Sequence, residues 1–432
     1  MHTNTAWQMN MAPEAPPVER FEAVIVGGGM VGTALCALLA QAGMRVALVE
    51  AQPTPLSLQQ ATNALPAPRV SALTPVSQRL LTHLGAWPAM QQTRVTPYRG
   101  MQVWDAEGSG EIAFSADEAG VLVLGHIVEN AVTLAALNSQ VIEHPNVATF
   151  FGVSIQALQR ANQNAETQAS GGDWLVLGDG RQLHAPLIVA ADGAHSSLRE
   201  MAGIEVVSDA MQQDAVVTTV QCAKPHGGKA RQAFIDGRPL AFLPLTVADD
   251  DRYCSIVWST TPEHAAELCD SSLSALGDAL AQALGHRLGR VTVCDKAHRF
   301  PLVQRHARQY VQEHFALVGD AAHSIHPLAG QGVNLGLMDA AVLAEEVVHA
   351  WQRGAPWGAL STLRRYERRR RFDNAAMLAL MKGFKVLFGS HNPMLTLARN
   401  LGMSGMNQQV PLKRILMRQA TGERGRLPLT CR

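Results

Sequence analysis

The stretch Val24-Ile25-Val26-Gly27-Gly28-Gly29-Met30-Val31-Gly32 decides the fold. An apolar run ends in a G-x-G-x-x-G turn, and an Ala/Leu-rich stretch follows from Thr33 to Gln41. Gly43, a second apolar run (Val46 to Val49) and Glu50 come next. This order predicts strand, tight turn, helix, strand, acid. Gly27 permits the sharp turn, Gly29 lets the backbone approach a pyrophosphate, and Gly32 lets the helix pack close to the strand. The helix start offers unpaired N–H groups to phosphates. Glu50 stands where a carboxylate can accept hydrogen bonds from ribose hydroxyls. A G-x-G-x-x-G alone is a weak signal. The flanking strand, helix and acid make this one a dinucleotide site.

Two more junctions repeat the theme. Leu187-Ile-Val-Ala-Ala191-Asp192-Gly193 is an apolar strand ending in Ala-Asp-Gly and entering a Ser-capped turn at Ser196. Crevices in open α/β sheets form at such strand ends, so Asp192 and Gly193 are candidate ligand contacts. Phe315-Ala-Leu-Val318-Gly319-Asp320 is a strand running into Gly-Asp. A loop through His323, His326, Pro327, Gly330, Gln331 and Gly332 follows, and then an Ala/Leu/Val helix from Leu337 to Ala350. The glycines let backbone pass close to a flat ligand, and another helix start faces the site. His323 and His326 are three residues apart, but no carboxylate or cysteine stands at a supporting spacing. They read as loop histidines lining a pocket, and no metal is expected.

Between the junctions the chain supplies walls. Residues 1–20 are polar and Pro-rich with no apolar h-region, and they read as a disordered tail. Ala51 to Pro68 reads as a loop. Arg69 precedes a helix pattern through Leu80, Leu81 and Leu84, where it could reach a cofactor or make a surface salt bridge. Gly100 to Phe114 alternates around a Gly-rich turn, the pattern of a β-hairpin. Asn130 stands at a helix start, either as an N-cap or with its amide on a cofactor. Val147 to Ala157 and Trp174 to Leu177 read as strands, the second leading into a Gly178-Asp179-Gly180 hairpin turn. Residues 205–295 change to strand-like runs separated by Gly, Pro and Asp, with one helical segment at Leu273 to Leu284. This predicts an inserted antiparallel sheet. The expected organisation is a discontinuous nucleotide-binding domain (21–98, 120–204 and 296–360), a second domain (99–119 and 205–295) and a C-terminal helical region (361–432).

Composition bounds the rest. The chain has 432 residues, 47% of them hydrophobic, and no net charge, so no global field draws nucleic acid. From Ser361 onward, however, 15 Lys+Arg stand against 3 Asp+Glu. That excess suits either a solvated basic helix or a surface for anionic lipid or an acidic partner. Met377, Met381, Phe384 and Phe388 fall on one helical face, for packing on the body, on a sister chain or on a membrane. The six cysteines include no CxxC and read as free thiols in a reducing compartment. No stretch of ~18 apolar residues is present, so no transmembrane helix is expected.

Taken together, Gly27-x-Gly29-x-x-Gly32, Asp192-Gly193 and Gly319-Asp320 resemble the three-motif pattern of FAD-dependent aromatic hydroxylases of the p-hydroxybenzoate hydroxylase type. The order and separation match over about residues 20 to 410. His326-Pro-Leu-Ala-Gly-Gln-Gly-Val-Asn-Leu-Gly336, Arg69-Val-Ser-Ala-Leu73 and Leu124-Gly-His-Ile-Val-Glu-Asn130 are similar to signatures of the ubiquinone-biosynthesis hydroxylases. Gly100-Met-Gln-Val-Trp-Asp105, Ala241-Phe-Leu-Pro-Leu245 and Cys254-Ser-Ile-Val-Trp-Ser259 most resemble the branch that acts on 2-polyprenylphenol. The resemblance implies a Rossmann-like FAD-binding domain with an inserted sheet. It implies FAD, NADPH as a transient co-substrate, and ring hydroxylation through a flavin C4a-hydroperoxide. By the same resemblance Gly27, Gly29 and Gly32 would hold the pyrophosphate and Glu50 the adenosine ribose. Arg69 and Asn130 would contact the flavin side. Asp192 and Gly193 would touch FAD and bear on NAD(P)H use, and Asp320 would bind the ribityl chain. Pro327, Gly330, Gln331 and Gly332 would lie along the isoalloxazine. No catalytic base is assigned, since His326 qualifies by location alone. The substrate would be an isoprenoid phenol that partitions into the bilayer. The expected setting is therefore cytoplasmic, on the inner face of the membrane or among partner proteins, with the chain a homo-oligomer.

Overall fold

A computed structural model describes residues 18–63, 65–161, 171–324, 332–388, 421–423 and 425–432. Pro327, Gly330, Gln331 and His326 lie outside the described residues, as do the side chains of Met381, Phe384 and Phe388.

The nucleotide-binding half is built on a six-stranded sheet. Its order is 311–312, Phe315–Leu317, Ile188–Ala190, Ala23–Val26, Val46–Glu50 and Val147–Phe151. All neighbours are parallel except the small hairpin at the 311–312 edge. The first three of these strands after the edge read as short apolar runs because they are buried on both faces. The helix Met30–Gln41 is buried continuously from Gly32 to Ala40. It packs against Asn130–Val141 and Gly332–Gln352, so its lack of a polar face follows from having protein all round.

A nine-stranded sheet forms the second half. Its order is 323–324, His298–Ala307, Val206–Cys222, Asp250–Thr260, Arg238–Val247, Lys229–Ile235, Gly100–Asp105 and Glu111–Ser115, with Val291–Val293 also on Val206–Cys222. The helices Pro262–Asp270 and Leu273–Ala283 cover one face, burying Leu268, Leu276 and Leu280 with Phe242 and Trp258. The C-terminal helical region is led by Leu360–Phe388. The protein is thus mixed α/β, a Rossmann-like domain with an inserted sheet and a helical C-terminus. Among the described residues no helix is long and apolar enough to cross a membrane.

Several expectations need correction. Val18–Arg20 is not part of a disordered tail. It forms a strand parallel to Gln182–Ala185, a partner more than 160 positions away that no local pattern announces. Val147 to Ala157 is not one strand but two, Val147–Phe151 and Ile155–Gln159, in different sheets. The break falls at Gly152, whose N–H turns to bond Gln52 O. The inserted sheet does not end at residue 295, because His298–Ala307 pairs along Val206–Cys222. It is also not wholly antiparallel, since Gly100–Asp105 runs parallel to Lys229–Ile235.

Candidate active site

Three adjacent parallel strands carry the three junctions to one edge of the six-stranded sheet. Val26 leads into Gly27, Ala190 into Asp192, and Leu317 into Gly319 and Asp320. The strand ends are stitched side by side: Ala191 N–H donates to Val26 O (2.7 Å) and Val318 N–H to Ala190 O (3.0 Å). Glu50 closes the neighbouring strand. The segments meet because parallel strands with like-handed crossovers present all their C-termini on one side.

The glycines divide their work by what surrounds them. Gly27 has φ +108°, and a Cβ there would lie 2.3 Å from Ala191 O. A Cβ on Gly32 would lie 2.0 Å from Gly27 O, which is the close helix–strand packing expected of it. A Cβ on Gly29 would meet no atom of the described residues within 4 Å, for it would project into the cavity. Gly29 is also the N-cap of the helix Met30–Gln41, with no capping side chain and no acid in the first turn. The first N–H groups of that helix are therefore open to an anion.

The cavity has a volume of about 450 Å³. One side is Gly29, Gly193, Asp320 and the helix start at Gly332. Arg69, Ser71 and Asn130 form a polar flank. The other side is an apolar stretch of the nine-stranded sheet: Ala215, Val217, Val257, Phe300 and Leu302. Of the thirteen predicted cofactor residues, the cavity gathers Gly29, Arg69, Asn130, Gly193, Asp320 and Gly332. Gly27 and Gly32 act behind it as packing positions. Glu50 receives Gly28 N–H (2.6 Å) and Gln52 N–H (2.8 Å), one on each oxygen, which leaves lone pairs for hydroxyl donors.

Among the described residues two buried oxygens at the junctions lack a partner: Asp192 Oδ1 and Ser324 Oγ. Native structures rarely leave such atoms unmet, so both mark where a polar ligand belongs. Asp192 Oδ2 is already held by Leu198 N–H (3.1 Å), which fixes the orientation of its free oxygen. Asp320 is exposed to the cavity. Desolvation pushes its carboxyl above the usual range, against the opposing pull of His323 and Arg69. A hydroxyl donor would relieve that carboxylate. These groups fit a ribityl and pyrophosphate chain: an open helix start, a Cβ-free approach at Gly29, and carboxylates waiting for donors.

Side chains behind the cavity hold these groups in place. Asn130 is not an N-cap. The cap is Glu129, and Asn130 Oδ1 instead accepts from Ser71 Oγ (2.6 Å) at the cavity wall. Among the described residues Arg69 makes no salt bridge; its guanidinium lies over the Phe300 ring, 5.5 Å from the centroid. Glu129 is buried and accepts from Ala67 N–H (2.6 Å) and Arg94 (2.9 Å), which anchors the loop leading to Arg69. His323 does not line the pocket. It is buried, with Nε2 2.5 Å from Asp339 Oδ2. Asp339 also takes Gly319 N–H (3.1 Å) and Arg370 Nε (2.7 Å). It therefore grips both ends of the turn that presents Asp320. Among the described residues no group of three or more His, Cys, Asp or Glu is placed to hold a metal.

Four of these supports escaped the sequence reading: Asp339, Arg370, Arg199 and Asn334. Arg199 is buried and donates to Ala321 O (2.9 Å) and Ala194 O (3.2 Å), tying the second junction to the third. Asn334 accepts from Thr74 N–H (3.0 Å) and Ser77 Oγ (2.7 Å) and donates to Ala72 O (2.8 Å). It pins the start of the long helix to the strand after Arg69. A charge or amide inside the apolar first half of the helix was the available signal for Asp339 and Asn334.

A parallel sheet whose strand ends meet in a glycine-lined cleft, faced by an apolar second sheet, is the architecture of an FAD-dependent aromatic-ring monooxygenase. Residues 20–379 match the family described as FAD binding domain, and the chain belongs to that family, alongside the ubiquinone-biosynthesis hydroxylases. It is 39% identical to 3-demethoxyubiquinol 3-hydroxylase of Escherichia coli, over 93% of this chain and 98% of that one. It is 33% identical to the mitochondrial ubiquinone biosynthesis monooxygenase COQ6 of Homo sapiens, over 92% of each. Among solved structures, p-nitrophenol 4-monooxygenase PnpA from Pseudomonas putida superposes with a TM-score of 0.73 at 20% identity, covering 94% of this chain and all of that one. At that identity the likeness speaks for the fold.

Proposed function

We propose that this chain hydroxylates the aromatic ring of a polyprenylated phenol in ubiquinone biosynthesis, using O₂ and NADPH. The observation that carries the reading is the two-sided cavity, with cofactor junctions on one side and the aliphatic wall of Val217, Val257 and Leu302 on the other. Bound there, FAD would supply the oxygen-activating chemistry that no side chain can provide. The protein's part is to bind, orient and keep dry. The helix start at Met30 and the bare backbone at Gly29 would take the pyrophosphate, and Glu50 and Asp320 the hydroxyls. The apolar sheet face would receive an uncharged ring and exclude water from the reacting edge. Asp320 is the one carboxylate among the described residues lining the cavity, and no histidine joins it. Proton removal from the phenol is therefore not assigned to a described side chain.

The ring position has two readings. The motifs around Trp104, Phe242 and Trp258 resemble the 2-polyprenylphenol branch. The 39% identity to the Escherichia coli enzyme favours the later, already substituted ring named in that relative. Deleting the gene and identifying the accumulated intermediate by mass spectrometry separates them: a polyprenylphenol without a second ring hydroxyl for the first, a demethoxy quinone for the second. Oxygen insertion itself is tested with ¹⁸O₂ and purified protein. Label in the product is expected. Product formed anaerobically, without label, would instead identify a flavin dehydrogenase.

A further inference from the structure

The C-terminal helix Leu360–Phe388 sorts its charges by face. Its inward groups are neutralised. Glu367 accepts from Tyr310 N–H (2.8 Å), Arg370 pairs with Asp339 and Asp373, and Arg369 pairs with Glu345 and Glu346 (2.8 Å each). The outward groups are not. Arg364, Arg365, Arg368 and Arg371 are exposed, and none has a carboxylate partner among the described residues. One turn further on, the same face becomes apolar. Phe372 is 77% exposed, and Ala375, Ala376 and Ala379 follow it in the open. A lone exposed Phe means little, and a solvated helix face is ordinarily polar along its length. Here a cationic band without acids runs directly into an apolar band. Arg365 and Arg368 also border a groove of about 980 Å³ whose lining mixes Leu38, Ala341 and Val348 with Glu345 and Glu346, both paired to Arg369, and Leu429, itself 71% exposed, stands beside them.

We propose that this face docks on an anionic bilayer, with the four arginines on lipid phosphates and Phe372 at the acyl boundary. Charge complementarity selects the occupant. Unpaired guanidiniums bind phosphate bidentately, and an aromatic ring beside them is the anchor of an interfacial helix. From Arg364 to Ala379 the stripe runs about 22 Å, enough to span several headgroups. The prenylphenol reading supplies only the reason a bilayer is useful, since such a substrate dissolves there.

The test uses full-length FAD-loaded protein and vesicle flotation. Vesicles of phosphatidylcholine mixed with phosphatidylglycerol should carry the protein, and phosphatidylcholine alone should not. Arg364→Glu/Arg368→Glu should lower binding roughly twentyfold or more, at about fivefold for each basic charge removed from an anionic surface. Phe372→Ala should weaken binding at fixed charge. Lys224→Glu/Lys296→Glu changes net charge equally on exposed positions of the other half and should leave flotation unchanged. Flavin absorbance reports folding for every variant. Absence of flotation with phosphatidylglycerol, equal binding to both lipids, or equal loss in the lysine control would each overturn the proposal. Failure of the hydroxylase reading shows separately, as absence of ¹⁸O in product with flotation intact.

Discussion

Gly29 and Gly32 stand three positions apart and would fail in different ways as alanine. The Gly32 methyl would be forced against Gly27 O, a backbone atom held by the turn. Overpacking of this kind costs about 1–3 kcal/mol, so Gly32→Ala should melt lower even without FAD. The Gly29 methyl meets no atom of the described residues, so Gly29→Ala should keep the apoprotein's melting temperature. It should lose roughly tenfold in FAD affinity, the worth of one displaced phosphate hydrogen bond, measured by flavin fluorescence quenching. Asp320 gives a second test at this scale. Its carboxyl titrates above the ordinary range because desolvation disfavours the charge, so ionising it works against the fold. Asp320→Asn should therefore melt higher than the parent as apoprotein at neutral pH. The gap should close as pH falls below the ordinary carboxylate range, where both states of the parent hold the proton. The same variant should bind FAD more weakly. These residues were legible in the sequence because their signals are local. His323 was misread because its partner Asp339 lies 16 positions away, and the Ser71 partner of Asn130, 59 positions away, was equally out of local view.

The turn Gly319–Ala321 shows how far an element's stability can reside outside itself. It is held by Asp339 from one helix, and Asp339 is held by Arg370 from the next. Burial would raise the Asp339 carboxyl, but His323 and Arg370 outweigh it and bring it down to about 2. A carboxylate with a depressed pKa stabilises the fold above its unfolded value. That contribution is lost as pH falls from the ordinary carboxylate range through about 2. Asp339→Asn removes the charge but keeps the shape, leaving the buried Arg370 guanidinium without that anion. Breaking such a pair costs about 3–5 kcal/mol, and chemical denaturation should show that loss at neutral pH. Part of the acid limb of the parent's stability curve should vanish with it. The sequence shows Asp339 only as a polar letter in the apolar first half of a helix, and Arg370 as one of a run of arginines. Side-chain pairing between separate helices is what periodicity does not encode.

Across the whole molecule the cavity exists only because two sheets face each other, and its chemistry is divided between them. The cofactor side was written in short glycine motifs. The opposing wall was not, because Ala215, Val217, Val257, Phe300 and Leu302 are ordinary strand residues until the register brings them together. Strand pairing sets Val217 beside Val257 and beside His298, which aligns the wall without any motif. That division predicts a separable defect. Val217 is buried in a small apolar cluster with Ala215 and Leu302 and lines the cavity from the side away from Gly29. Val217→Phe would fill space meant for the ring without touching a cofactor contact. Purified Val217→Phe should therefore carry as much FAD as the parent and retain its yellow absorbance. Hydroxylated product should fall about tenfold or more, because a ring displaced by ~1 Å from the attack geometry loses around 10²-fold. Substrate should no longer stimulate NADPH oxidation, and the NADPH still consumed should appear as H₂O₂. If product and flavin content fell together, the two sheets would not be dividing the labour. Full product with normal coupling would place the ring against some other surface.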